Sequence, residues 1–175
     1  MSSDFFQLLQ CGLCGEQFQA PFGCAANSSL NDANRTAALA TINKNRLEAA
    51  LGQKQLLPPA THMNKLAWNC TLEEIAQRLV DGCPPRQNAM GNGFNYLLYQ
   101  PPFSTPAHIS YPLQYALFFW TLPQTMWLPN NTYTRQNNGG LTESANMIRA
   151  NTTAVGCAAA FCGNLSAAAC VFSDQ

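Results

Sequence analysis

Between residues 31 and 52, apolar positions Ala38, Leu39, Ile42, Ala49 and Ala50 recur at spacings of three, four and seven, which predicts a helix with one buried stripe. Asn31 and Asp32 are expected to cap its start and Gly52 to end it, with Arg35, Lys44 and Glu48 on the solvent face. Leu72, Ile75, Ala76 and Leu79 repeat the pattern, with Thr71 and Glu74 expected as a capping box and Gly82 as the stop. Trp68, just ahead of this helix, is expected to anchor the core rather than stack on a ligand. A third helix is predicted over 111–122, opened by Pro112 and closed by Pro123, with Leu113, Ala116, Leu117 and Trp120 on one stripe. Phe118 and Phe119 are expected to join Trp120 in the core.

The periodicity then changes. Ala158 to Phe161 and Ala167 to Phe172 are short, apolar and uncharged, as strands buried on both faces tend to be, and Gly163-Asn164 between them is a two-residue hairpin turn. Cys157 then lies opposite Cys170, a register compatible with a cross-strand disulfide. Residues 1–29 carry Cys11, Cys14 and Cys24 but no helical or strand period, 53–62 form a proline-bearing connector, and 88–108 and 130–140 are polar and turn-rich. Helices early and a strand pair late give an α+β class, with 1–30 as a disulfide-tethered segment and 31–175 as a single domain.

Composition narrows the class of function. Net charge is zero and only 10% of residues are charged, so nucleic acid and anionic lipid surfaces, which need clustered Lys and Arg, are poor partners. The 47% hydrophobic content of these 175 residues points to a packed fold rather than disorder. Eight cysteines, Cys11, Cys14, Cys24, Cys70, Cys83, Cys157, Cys162 and Cys170, imply an oxidising, extracellular compartment. Asn-X-Ser/Thr sequons at Asn27, Asn34, Asn69, Asn130, Asn151 and Asn164 agree with a secreted glycoprotein. Cys11-Gly-Leu-Cys14 is alternatively half a zinc site or a redox dithiol, but His62 and His108 offer no second ligand pair, so disulfides are the stronger reading. The first twenty residues lack a basic n-region and are interrupted by polar residues, so no signal peptide is expected there; Met1 reads as a mature chain re-initiated for expression. The apolar block 111–128 is broken by Pro112, Gln114, Pro123 and Gln124, so no membrane span is expected.

The motifs resemble one family. MIRANTTAVGCA, beginning at Met147, resembles the MVWxNTxxVGCA segment of the CAP superfamily of cysteine-rich secretory, antigen 5 and pathogenesis-related proteins, with Arg149 in place of Trp. CGNLSAAACVF continues the likeness to nematode secreted members, with Ser166 where some have a further Cys. RTAALATINKNRLEAALGQ is similar to the family's first helix, in which Asn43, Arg46 and Gly52 match an HNxxR core and Ile42 replaces the His. MNKLAWNCTLEEIAQRLVDGC resembles MxxLxWxxxLExxAQxxAxxC, and Gly93-Phe94-Asn95 resembles the GEN turn. The resemblance covers 31–172 with gaps. It implies a three-layer α/β/α sandwich around a central, largely antiparallel, disulfide-stabilised sheet, structural roles for Asn43, Arg46, Gly156 and Cys157, and, since the sequence ends just after the second strand, no cysteine-rich tail.

Many members of that family place two His and two Glu in a cleft able to hold a divalent metal. Carried over residue by residue, those positions fall on Gln87, Phe94, Pro123 and Glu143, none of which keeps the ligand type. No metal and no cofactor are therefore expected. A Ser or Cys nucleophile would need a base, which neither His62 nor His108 supplies in context, and a glycosidase pair drawn from Glu73, Glu74 and Glu143 competes with capping by Glu74. The resemblance implies a secreted, non-catalytic parasite effector that binds a host cell-surface receptor or plasma protein, an integrin of platelets being the sharpest case, although no RGD or KGD tripeptide occurs. The alternative is a lipid or sterol carrier with Phe118, Phe119, Trp120, Met126 and Trp127 lining its site.

Overall fold

A computed structural model describes residues 22–24, 28–54, 58–85, 93–100, 112–122 and 141–173. The predicted first helix, α1, runs Asp32–Ala50. Asn31 caps it reciprocally with Asn34, and Gly52, at φ +66°, takes the left-handed turn that ends it against Pro59. Strand β1 is only Ala67–Trp68, followed by α2 at Cys70–Val80. The cap of α2 is Asn69, whose side chain accepts from the Leu72 N–H at 3.0 Å. The Thr71/Glu74 box is thus corrected: the helix begins two residues earlier than that box requires, and both side chains are exposed.

Strand β2 occupies Gly93–Tyr99, α3 Pro112–Thr121, α4 Thr142–Ile148, β3 Ala154–Cys162 and β4 Leu165–Phe172. The four strands lie in the order β1-β3-β4-β2, with β1 parallel to β3 and both other pairs antiparallel. The β3–β4 hairpin turns at Gly163-Asn164 and pairs Cys157 with Cys170, as expected. The reading of 88–108 as turn-rich is corrected over 93–99, where β2 pairs along its whole length with β4. Strand pairing there overrides the weak local signal of a Gly-Asn-Gly start.

Alternation along β3 and β4 divides the core. Val155, Cys157, Ala159, Ala168, Cys170 and Phe172 face a layer containing α1, α3 and α4, and pack with Ile42, Leu117, Trp120 and Met147. Ala158, Ala167, Ala169 and Val171 face α2 and its Leu72, Ala76, Leu79 and Val80. The result is an α+β, three-layer sandwich with a mixed sheet between helices. The alanine-rich strands let α2 approach closely, and at Gly156 even a Cβ would sit 2.1 Å from the Glu73 nitrogen.

Three disulfides fasten this frame: Cys24–Cys70, Cys83–Cys162 and Cys157–Cys170. The first ties residues 22–24 to the start of α2. Cys11 and Cys14 lie outside the described residues.

Candidate functional site

Two polar clusters and one groove concentrate the chemistry among the described residues. The first cluster surrounds Arg46, which is only 2% exposed. Its guanidinium donates to the Asn64 carbonyl at 2.9 and 2.7 Å, to that of Met147 at 2.9 Å and to that of Arg149 at 3.0 Å. Asn43, three residues earlier, donates to the Leu66 carbonyl and accepts from its N–H at 3.0 and 2.8 Å. Helix α1 thereby pins the connector 64–66 and the end of α4 through side chains alone. Burial pulls Arg46 down to about 10, which leaves it charged at neutral pH. Every bond it makes is to a backbone carbonyl, an arrangement for holding loops rather than for moving protons.

The second cluster was not legible as such in the sequence. Arg35, expected on the solvent face, is 4% exposed and donates through Nε and Nη2 to both oxygens of Glu73 at 2.8 to 3.2 Å. Its Nη1 meets Asp32 at 2.6 Å. Glu73 also accepts from the Trp68 indole N–H at 2.6 Å and from the Ser28 hydroxyl. Burial pushes the Glu73 carboxyl up, but the hydrogen bonds from Arg35, Ser28 and Trp68 and the charge of Arg35 outweigh it, leaving the group below the usual carboxylate range. The bond to Glu73 likewise raises Arg35. With its oxygens occupied by four donor groups in this way, Glu73 is held as a structural carboxylate and is a poor half of a glycosidase pair. Trp68 is half-buried against the α1-side core and is a ligand of this cluster as well as an anchor.

Of the four positions carried over from the family cleft, Gln87 and Pro123 lie outside the described residues. Phe94 is in β2, opposite Val171, and packs into the α2-side core. Glu143 is on α4, in the opposite layer, and its backbone carbonyl accepts from Asn95 at 2.8 Å. The backbones of these two positions meet at the α4–β2 junction, while the Phe94 ring packs on the α2 side of the sheet. Asn95, 1% exposed, instead joins Asn146, which donates to its Oδ1 at 2.9 Å and to the Phe94 carbonyl at 3.1 Å, locking α4 onto β2. Among the described residues no three His, Cys, Asp or Glu side chains are grouped as a metal site would require.

The aromatic residues expected in the core separate. Trp120 is buried, but Phe118 and Phe119 are 58% and 41% exposed, a correction that follows from the 3.6-residue period: both precede Trp120 on faces turned from the sheet. Phe119 packs on Tyr115 with ring centroids 4.7 Å apart, and Tyr115 on Tyr99 at 4.6 Å. Met126 and Trp127 lie outside the described residues. Of the sequons, Asn69, Asn151 and Asn164 are exposed, Asn34 is half-buried in its capping box, and Asn27 and Asn130 are not described. No helix among the described residues is long and apolar enough to cross a membrane.

A groove of about 390 Å³ lies between α1 and the connector, walled by Leu47, Ala50 and Met63 and flanked by Lys44 and Lys65. Periodicity alone did not single it out, because one of its walls is an irregular segment placed by Arg46 and Asn43.

A sheet of this order between helical layers, stapled at these cysteines and cross-tied from α1 to the segment leading into the strand that carries Val155-Gly156-Cys157, defines a disulfide-stabilised scaffold of the kind built in oxidising compartments. The chain belongs to the CAP family, described as the cysteine-rich secretory protein family, whose profile matches residues 39–172. It is 30% identical over 158 residues to an Ancylostoma secreted protein of Ancylostoma caninum, an alignment covering 87% of this chain and 36% of that one. The chain thus spans about a third of that relative's length. The crystal structure of Na-ASP-1 is similar with a TM-score of 0.75 and 30% identity, over 86% of this chain and 38% of that one. A hookworm platelet inhibitor shares the fold with a TM-score of 0.66 and 20% identity, over 87% of this chain and 75% of that one.

Proposed function

We propose that the chain is a secreted, non-catalytic effector that binds a host cell-surface or plasma protein, with a cleft that has lost its metal-binding ligands. The observation that carries this reading is Phe94. A phenyl ring stands where the family motif has an acid, and it is packed against the sheet's α2 side, where it can neither ligate a cation nor transfer a proton. The buried charges support it, since Arg35, Arg46 and Glu73 are each committed to fixed partners within the fold. Secretion is supported by the three disulfides and by the name of the Ancylostoma relative. An integrin on platelets is the sharper form of the partner, motivated by the hookworm platelet inhibitor that shares the fold.

The test pairs two measurements. Labelled protein should bind washed blood cells saturably and be displaced by unlabelled protein, and calorimetry with zinc should show no micromolar site. Zinc binding abolished by Glu143→Ala would overturn the degenerate cleft, and absence of saturable binding to blood cells or plasma proteins would overturn the effector reading. The exposed Phe118 and Phe119 keep a second reading, lipid carriage, in view: stoichiometric fatty acid or sterol extracted from protein made in a lipid-containing host would favour it.

A further inference from the structure

The groove between α1 and the connector holds an unusual combination. Leu47 is 58% exposed on the helix, and Met63 forms the facing wall. Lys44 and Lys65 stand on either side, and they are two of only three lysines in the sequence. No carboxylate lines the groove. Glu48, one turn on from Lys44, is held by Lys54 at 2.7 Å and feels the Lys44 charge more weakly, while neither Lys44 nor Lys65 makes a direct ion pair among the described residues. The walls do not depend on a ligand to form. Arg46 fixes the Asn64 carbonyl, Asn43 fixes Leu66, and the Ala60 N–H donates to the Ala50 carbonyl at 3.1 Å, so the connector stands off α1 at a set distance.

We infer that this groove docks an acidic peptide segment of a partner protein, with an aliphatic or aromatic side chain seated between Leu47 and Met63 and carboxylates meeting Lys44 and Lys65. The choice of occupant rests on charge and shape. An apolar floor between two lysines, in a groove that no carboxylate lines, complements an apolar anchor flanked by acids. A membrane surface would be met by a cluster of four or more free cations, whereas here only two lysines are free, the Arg46 guanidinium being taken up by backbone carbonyls. The inference rests on the effector reading and assigns it a surface.

A phage-displayed library of random dodecapeptides, panned on the folded protein, tests it. The expected outcome is enrichment of peptides with Asp or Glu around a Leu, Ile or Phe. A synthetic copy should bind the wild type with an affinity that falls with salt, and at least tenfold more weakly to Lys44→Glu/Lys65→Glu. Leu47→Asp should weaken it as well, while melting stays within a few degrees because all three side chains are exposed. Enriched peptides without acids, equal binding to the double variant, no enrichment, or binding to phosphatidylserine vesicles but not to peptide would each overturn the assignment. If blood-cell binding persists unchanged in the double variant, the groove is wrong and the effector reading stands; if the wild type binds no blood-cell or plasma protein, the effector reading itself fails.

Discussion

Replacing Gly156 by alanine perturbs the tightest interlayer approach found at any described glycine. A Cβ there would lie 2.1 Å from the Glu73 nitrogen, 2.5 Å from the Leu72 carbonyl carbon and 2.6 Å from the Asn69 oxygen. Carbon contacts are comfortable at about 3.5 Å or more, so the first turn of α2 must retreat by roughly 1 Å. All three atoms are backbone, and the turn is held on several sides. Cys70 is bonded to Cys24, the Asn69 N–H donates to the Val155 carbonyl at 2.9 Å, and Glu73 is gripped by Arg35 and Trp68. Overpacking typically costs about 1 to 3 kcal/mol, and the rigidity here places the cost at the upper end. A strained or broken Asn69–Val155 bond adds about 1 kcal/mol.

The expected loss is therefore about 3 to 4 kcal/mol, read as a lower urea midpoint with disulfides intact and a melting temperature lower by about 6 to 16 °C. Gly163→Ala is the matched control. That glycine has nothing within 4 Å of its would-be Cβ but has φ +65°, so only conformational strain of about 1 to 2 kcal/mol is expected. A Gly156→Ala variant within 1 kcal/mol of wild type with an unchanged m-value would refute the close-approach argument.

Glu73→Gln should cost about 3 to 5 kcal/mol at neutral pH, because it leaves the Arg35 charge buried without its partner. The depressed folded value of Glu73 means that its contribution is present above the unfolded carboxylate value near about 4.3 and is lost as pH falls through the folded value, so variant and wild type should converge in acid; a gap constant down to pH 2 would contradict this. Trp120→Ala should cost about 3 to 5 kcal/mol, whereas Phe119→Ala should cost only about 1 kcal/mol, chiefly its ring contact with Tyr115; equal losses in thermal unfolding would restore the core reading of Phe119. Free-thiol titration of the native protein should find Cys24, Cys70, Cys83, Cys157, Cys162 and Cys170 all oxidised. Opening Cys83–Cys162, 79 residues apart, should cost about 1.5 kcal/mol more than opening Cys157–Cys170, 13 apart, and the reverse order in paired Ala variants would argue against the loop-entropy account.

The helices were legible where a cap, a stripe and a stop agreed, as at Asn31, Ile42 and Gly52, and the hairpin was legible because Gly163-Asn164 sits between two uncharged runs. Strand β2 was not, since Phe94 to Tyr99 alternates between two buried surfaces and so carries no polar face to set the period. The carried-over cleft suffers from the same alternation. Motif matching assigns Phe94 a position along the chain, but only its pairing with Val171 and its packing reveal that its ring lies on the α2 side of the sheet. Asn69 was visible as a sequon and not as a cap, because Thr71 and Glu74 offered a rival box two residues further on.

The burial of Arg35 with Glu73 follows from the shortness of β1. Helices α1 and α2 lie on opposite faces of the sheet, so two side chains from them can meet only around an edge, and β1, with two paired residues, leaves that edge low. A longer β1 would have covered β3 past Val155 and separated the layers. Instead the edge is closed by polar groups: the Trp68 indole reaches Glu73 from β1 itself, the Ser28 hydroxyl from the segment before α1, and the Ser29 hydroxyl accepts from the Ala159 N–H at 3.2 Å further along β3. A carboxylate suits this position because it can accept from a guanidinium, an indole and a hydroxyl at once, which no apolar side chain could replace without leaving several donors unsatisfied. The same logic explains why a chain with only 10% charged residues buries three of them among its described residues: each ties together segments that no strand pairing joins.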